Sequence, residues 1–214
     1  MSRLIDKGLE QLERMLIHMG ELAHKTVSLS LENYIKNLGD YSQVRNQSDT
    51  LVLMAEGAED KAFELIARFQ PVASDLRVLK SYMRIIYDLV RYGRYALDVS
   101  QIHERLGGLE KCEGWIKNLV REMSNKVLEM VHMSINSIIK QDVELAKALS
   151  EIEKQVDDLY FKYLDILVKR APTIDRYTVS SVLVVRYLER IADHATYIGE
   201  SVVYLATGEK LTLR

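Results

Sequence analysis

The chain contains little cysteine, proline and glycine, and it has no long hydrophobic run. Its one cysteine, Cys112, cannot form a disulfide within the chain, which predicts a reducing compartment such as the cytoplasm. The longest segment without Asp, Glu, Lys or Arg is Met130–Ile139, ten residues, whereas a membrane-spanning helix needs about 20 apolar residues. The sequence therefore predicts no transmembrane helix.

Charge of either sign is also not in excess. There are 29 Lys and Arg residues against 31 Asp and Glu residues, so bulk attraction to nucleic acid or to an anionic membrane is excluded. The N-terminus carries Asp6, Glu10 and Glu13 where a secretory signal needs an apolar core. Glycine-rich phosphate and dinucleotide motifs are missing, and Cys112, beside Lys111, has no histidine partner to make it a nucleophile. We therefore expect a binding protein, not an enzyme.

The hydrophobic residues that are present repeat at helical spacing. They make up 48% of the chain and recur three and four positions apart, which places them on one side of an α-helix. The pattern is clearest in residues 9–27, 119–138 and 182–202. Turn-forming and helix-capping residues interrupt it near 39–40, 71, 107–108, 141–142, 172 and 208. This predicts an all-α protein of six long helices, a length typical of helix bundles.

The two prolines mark an internal repeat. Pro71 and Pro172 are 101 residues apart, and each lies between two predicted long helices. Shifting the chain by 101 residues keeps the apolar positions of the second helix of each half in register, and a shift of 99 does so for the third. We therefore predict two three-helix units, residues 1–106 and 107–214, packed into one elongated helical body.

Two acidic pairs, which we call the carboxylate cluster, form the candidate site. Glu153 and Asp157 lie one turn apart on the predicted fifth helix, and Glu189 and Asp193 lie one turn apart on the sixth. If these helices are antiparallel, the four carboxylates lie at one height, and their repulsion favours a bound cation such as Mg²⁺, Mn²⁺ or Fe. The alternative is that they are surface acids paired with nearby basic residues, namely Lys154, Lys162, Arg186 or Arg190.

Two segments of the sequence resemble the PhoU family. They are Leu188–Glu200, which reads LERIADHATYIGE, and Gln70–Arg77, which reads QPVASDLR. The resemblance extends over nearly the whole chain, including the repeat and both proline-marked turns. It implies two similar three-helix bundles and a cytoplasmic accessory and regulatory protein of high-affinity phosphate uptake.

The resemblance also implies metal binding through an acidic Glu/Asp-x-x-x-Asp pattern. The second repeat keeps this pattern throughout the carboxylate cluster, so we expect a divalent or trivalent cation there, one of Fe, Mn, Mg or Zn. The first repeat has Val52, Glu56, Val90 and Arg94 at the matching positions, so no cation is expected and a salt bridge between Arg94 and Glu56 is predicted instead. Tyr197 stands where the family usually has Asn, so no role is assigned to that position.

Histidines support a rival hypothesis. The pairs Glu21 with His24 and Glu129 with His132 have the Glu-x-x-His spacing of di-iron carboxylate bundles, which would suit a ferritin-like oxidase. Because each pair lies on the first helix of a separate unit, we expect the two not to meet. Glu129, His132 and His194 are instead candidates to join the carboxylate cluster.

The PhoU resemblance further implies partners. These are the ATPase subunit of a phosphate transporter and, in many organisms, a sensor histidine kinase, with restraint of uptake and of phosphate-starvation gene expression as the output. Contact with the membrane is then made only through partners, and a homodimer is expected. An accessory protein of a low-affinity phosphate permease is the alternative. The third helix offers a candidate partner surface rich in tyrosine and arginine, formed by Tyr82, Tyr87, Tyr92, Tyr95, Arg84, Arg91 and Arg94. Packing within the bundle explains at least Tyr92 as easily.

Overall fold

The protein is a bundle of six α-helices, seen in a computed structural model that describes residues 3–170 and 174–213. No strand occurs in these two ranges, which confirms the all-α prediction. A short 3₁₀ turn, Leu109–Lys111, lies between the third and fourth helices. The helices are α1 Leu4–Lys36, α2 Tyr41–Phe69, α3 Ala73–Leu106, α4 Gly114–Lys140, α5 Val143–Arg170 and α6 Arg176–Thr207.

The helices begin and end at the residues that the sequence pattern indicated. The carboxylate of Asp40 accepts a hydrogen bond from the amide of Ser42 at 3.0 Å and so caps the start of α2. Helices α4 and α6 end at Gln141 and Gly208, whose φ angles of 48° and 80° are left-handed and stop helical hydrogen bonding. The predicted break at Pro172 lies outside the described residues.

Two three-helix units, α1–α3 and α4–α6, pack side by side. Their main contact is between α3 and α6, and α1 also contacts α4. Hydrophobic side chains of all six helices form one continuous core, so neither unit is covered on its own. With 34 residues, α3 is about 50 Å long, which gives the elongated body expected from the repeat. None of the described helices is both long and apolar enough to cross a membrane.

Fully buried tyrosines tie helices together through serine hydroxyls. A phenol cannot be buried without a hydrogen-bond partner except at a cost of about 1–3 kcal/mol, so each such pair constrains how its helices pack. Two of the three pairs join the first unit to the second. The pairs are Tyr34 with Ser180 at 3.2 Å, Tyr92 with Ser134 at 2.9 Å, and Tyr163 with Ser181 at 2.6 Å.

The pair between α3 and α4 makes an asymmetric prediction about stability. The Ser134 hydroxyl donates to the carbonyl of Val131 at 2.8 Å, so it acts as the acceptor for Tyr92. Ser134→Ala leaves the buried phenol without an acceptor and should lower the free energy of unfolding by about 1–3 kcal/mol. Tyr92→Phe leaves the serine bonded to Val131 and should cost about 0.5–1.5 kcal/mol.

Urea unfolding of the two single variants and the double variant measures this difference. We expect the double variant to lie close to Tyr92→Phe, because it contains no unpaired hydroxyl. If the two single variants lost equal free energy of unfolding, and the double variant lost the sum of both, this account of the pair would be wrong.

Candidate functional site

The structure brings all four members of the carboxylate cluster to one pocket. Glu153 and Asp157 of α5 and Glu189 and Asp193 of α6 line a cavity of 580 Å³ between the two antiparallel helices. Ser150, Lys154, Thr212 and Leu213 complete its lining. The convergence expected from the spacing of the acids and the proline-marked turn is therefore present in the fold.

The C-terminal segment helps to enclose this pocket. The amide of Leu213 donates a hydrogen bond to the carboxylate of Glu200 at 3.1 Å, and the Leu213 side chain is buried. Glu153 and Asp193 are only 7% and 5% exposed, so they are not ordinary solvated acids on a helix surface. Burial of several carboxylates together requires neutralising charge nearby.

Two arginines of α6 supply part of that charge. Arg186 lies 2.8 Å from the carboxylate of Glu189, and Arg190 lies 3.0 Å from Asp193 and 3.5 Å from Glu189. Burial, together with the nearby carboxylates of Asp193 and Asp157, raises the pKa of Glu189 to about 7, although Arg186 opposes the rise. At neutral pH, therefore, a proton on Glu189 provides neutralisation in addition to the arginines.

The donor chemistry of the pocket suits a cation, but the arginines compete for the same oxygens. Carboxylates are the preferred ligands of Mg²⁺ and Mn²⁺ and bind Fe readily. With the side chains in these positions, residues 3–170 and 174–213 contain no group of three Asp, Glu, His or Cys residues close enough to hold a metal ion. Arg186 and Arg190 are 41% and 38% exposed, so both have room to swing outward and release Glu189 and Asp193.

The first repeat differs from its prediction. We expected Arg94 to neutralise Glu56, but Arg94 lies 3.4 Å from Asp49, two helical turns before Glu56 on α2. The expectation was wrong because the acid of α2 within salt-bridge distance of Arg94 is Asp49 and not Glu56. Val52 and Val90 offer no carboxylate at the matching positions.

The candidate histidines lie outside the carboxylate pocket. Glu129, His132 and His194 do not line the carboxylate pocket. The expectation that the two Glu-x-x-His motifs stay apart was wrong, because α1 packs against α4 and brings the rings of His24 and His132 to a centroid distance of 5.7 Å. A di-iron site needs two further glutamates from other helices, and the described residues hold no such group.

His194 forms a buried pair that the sequence did not reveal. Its Nδ1 atom lies 2.7 Å from the carboxylate of Asp88 on α3, so the pair joins the two units. Tyr87, Tyr95 and Tyr197 surround the imidazole, with ring centroids 5.3 to 6.1 Å away. Burial raises the pKa of Asp88, although the hydrogen bond from His194 opposes the rise. A signal existed, since Asp88 interrupts an otherwise apolar stretch of α3.

The Asp88–His194 pair lies at the base of a second, larger cavity, which we call the α3–α6 groove. It has a volume of 890 Å³ and combines apolar walls with a cationic rim. The apolar side chains come from α2 and α3, and the cations from α3 and α6. They are Ile66, Leu76, Leu79 and Met83, with Lys80, Arg84 and Arg190 on the rim.

The predicted tyrosine and arginine surface on α3 is mostly wrong. Tyr82, Tyr92 and Tyr95 are buried in the core, and of the four tyrosines only Tyr87 is exposed, at 59%. Helical rotation explains this, because Tyr87 lies on the face that borders the groove while the others point toward neighbouring helices. Cys112 is also buried, which raises the pKa of its thiol to about 11 and agrees with the absence of an activated nucleophile.

Comparison with known proteins identifies relatives over the full chain. A family model described as the PhoU domain matches residues 16–102 and again residues 120–202. The phosphate-specific transport system accessory protein PhoU homolog of Clostridium acetobutylicum is 31% identical, over 99% of this chain and 98% of that protein. The homolog of Pseudomonas aeruginosa is 30% identical, over 97% of this chain and 87% of its own length.

Solved structures agree with the fold. The crystal structure of PhoU from Pseudomonas aeruginosa superposes with a TM-score of 0.85 at 28% identity, covering 95% of this chain and 99% of that one. The phosphate transport system regulatory protein PhoU from Streptococcus pneumoniae superposes with a TM-score of 0.81 at 24% identity, covering 97% and 99%. The second match supports the fold alone.

The buried Asp88 predicts a pH-dependent difference between the wild type and Asp88→Asn. Because the pKa of Asp88 is raised in the fold, the folded chain retains a proton at pH values where the unfolded chain, with a pKa near 3.8, has lost it. The contribution of Asp88 to the free energy of unfolding is therefore largest below about pH 3.8, and it is lost as the pH rises through the higher pKa of the folded state.

Denaturant unfolding between about pH 3.5 and 5.5, below the ordinary pKa of histidine, measures this effect. The free energy of unfolding of the wild type minus that of Asp88→Asn should fall as the pH rises. A difference that is constant, or that grows with pH, would show that the pair with His194 outweighs the cost of burying Asp88.

Proposed function

This chain belongs to the PhoU domain family, and from that premise we propose that it is an accessory protein of a phosphate-specific transport system that restrains phosphate uptake and the phosphate-starvation response. The observation that carries the proposal is the match to accessory proteins over nearly the full length of both chains. The relatives carry names of accessory and regulatory proteins, which supports a binding role and not catalysis.

We propose that the partners are the ATPase subunit of the transporter and a sensor histidine kinase. The protein would act in the cytoplasm as a homodimer. It would contact the membrane only through these partners. The α3–α6 groove has the properties of a partner surface, because Tyr87 and Leu76 are exposed at 59% and 44% beside the cations Lys80 and Arg84. Exposed aromatic and apolar side chains next to arginine are typical of binding hot spots.

A binding titration tests this role. The purified chain is titrated onto the immobilised ATPase subunit and, separately, onto the immobilised kinase. Wild type should bind at least one of them, and Leu76→Ser/Tyr87→Ala should bind that partner at least about tenfold more weakly, since hot-spot side chains contribute more than about 1 kcal/mol each. The matched control is Leu53→Ser/Phe161→Ala, which removes two exposed side chains, 67% and 61%, that do not line the groove.

The two parts of the proposal fail separately in this experiment. No binding of the wild type to either protein would contradict the proposed partners. Equal weakening by the groove variant and the control would leave the partners in place but remove the groove as the contact surface.

We further propose that the carboxylate cluster takes up a divalent or trivalent cation in exchange for its arginines. Four carboxylates that share one pocket support this, because a cation there would be held by oxygen ligands from both α5 and α6. The cation would supply positive charge that the pocket otherwise obtains from Arg186, Arg190 and a proton on Glu189. A bound cation would then change the surface that α5 and α6 present to partners.

Elemental analysis after reloading with Fe or Mn tests the exchange. Protein purified without chelator should retain stoichiometric metal, Glu189→Gln/Asp193→Asn should lose it, and Arg190→Gln should retain it at lower free metal concentration because a competing cation has been removed. Absence of metal from the wild type and from Arg190→Gln, even after reloading, would contradict cation binding in the pocket.

A further inference from the structure

The contact between α1 and α4 brings a histidine of the first unit next to a histidine of the second. The rings of His24 and His132 are 5.7 Å apart between centroids and are tilted by 59°. His24 is half-buried at the helix contact, whereas His132 is exposed, so the space between the rings opens to solvent.

The position of this pair is set by a glycine. Gly20, one turn before His24, packs directly against the side chain of Ile135, one turn after His132. Farther along the same contact, the amide of Gln141 donates to the carboxylate of Glu13 at 3.3 Å, so α1 and α4 are antiparallel. A larger side chain at position 20 would push the helices apart, and close approach at glycine therefore holds the two histidines opposite each other.

The geometry matches the requirements of a shared metal ion. Zinc binds imidazole nitrogen at about 2.0–2.1 Å, which places the centres of two rings on one ion roughly 5 to 6 Å apart. The observed separation of 5.7 Å lies in this range. Metal binding uses the neutral imidazole, which keeps a lone pair on one ring nitrogen.

Two carboxylates share the helix faces of these histidines. Glu21 and Glu129 each precede one of the histidines by three residues and therefore lie on the same helix faces. Both are exposed and free to change rotamer. As placed, they do not complete a group of three ligands in the described part of the chain, so water or a rotated glutamate would fill the remaining positions.

We propose that His24 and His132 together bind one divalent transition metal ion, with zinc as the representative, and that this ion links the first three-helix unit to the second. The site is separate from the carboxylate cluster, which lies on α5 and α6. Imidazole suits Zn, Ni and Cu, whereas the carboxylate oxygens suit harder ions, so the two sites differ in selectivity. This proposal does not depend on the proposed function.

Calorimetric titration of the metal-free full-length chain with Zn²⁺ tests the site. The wild type should bind Zn²⁺, and His24→Gln and His132→Gln should each weaken the binding at least about tenfold, because each removes one of the two nitrogen ligands. His18→Gln is the matched control, since His18 is exposed on the same helix. Glu189→Gln/Asp193→Asn separates this site from the carboxylate cluster and should leave Zn²⁺ binding by the histidines unchanged.

A stability measurement distinguishes a ligand from a merely structural residue. Zn²⁺ should raise the thermal midpoint of the wild type and of His18→Gln, but not that of His24→Gln, whose metal-free fold is checked by circular dichroism. The proposal is overturned if both histidine variants bind Zn²⁺ as the wild type does, or if the carboxylate variant abolishes the binding instead.

Discussion

The whole structure depends on one constraint, which is that neither three-helix unit can cover its own apolar surface. The contact between α3 and α6 buries both surfaces at once, so the core is continuous through all six helices. Apolar burial is not directional, so many relative positions of the two apolar surfaces have similar free energies. Buried polar pairs between the units remove that freedom, because Tyr92 with Ser134 and Asp88 with His194 are satisfied in only one register.

The same junction positions two of the three places for which a function is proposed, whereas the carboxylate cluster lies within the second unit. The α3–α6 groove exists because the two units meet there, and the Asp88–His194 pair forms its base. His24 and His132 face each other only because α1 rests on α4. A partner or an ion at these places contacts both units together, so its binding energy depends on their relative position. Such binding would therefore be able to change how the two units sit against each other.

The carboxylate cluster shows how the two repeats have diverged on one scaffold. The second unit buries acids where the first has Val52 and Val90, and it pairs them with arginines of the same helix. In the first unit Arg94, which stands at the position of Asp193, forms a salt bridge with Asp49 instead. Burying like charges is costly unless they are neutralised, and the raised pKa of Glu189 near 7 reflects that cost. Arginine and a proton therefore meet one electrostatic requirement, which the proposed cation would also meet.

The sequence by itself determined the helices, their ends and the two-unit repeat, because these follow from local spacing and from capping residues such as Asp40 and Gly208. It also placed Glu153, Asp157, Glu189 and Asp193 at one height, since one turn separates each pair. Only the tertiary structure decided which groups touch: Arg190 with Asp193, His194 with Asp88, and His24 with His132. A contact of 3 to 6 Å between helices depends on their rotation and separation. Contacts between residues distant in the chain, such as Gly20 with Ile135, set this rotation and separation. Helical periodicity alone does not determine them.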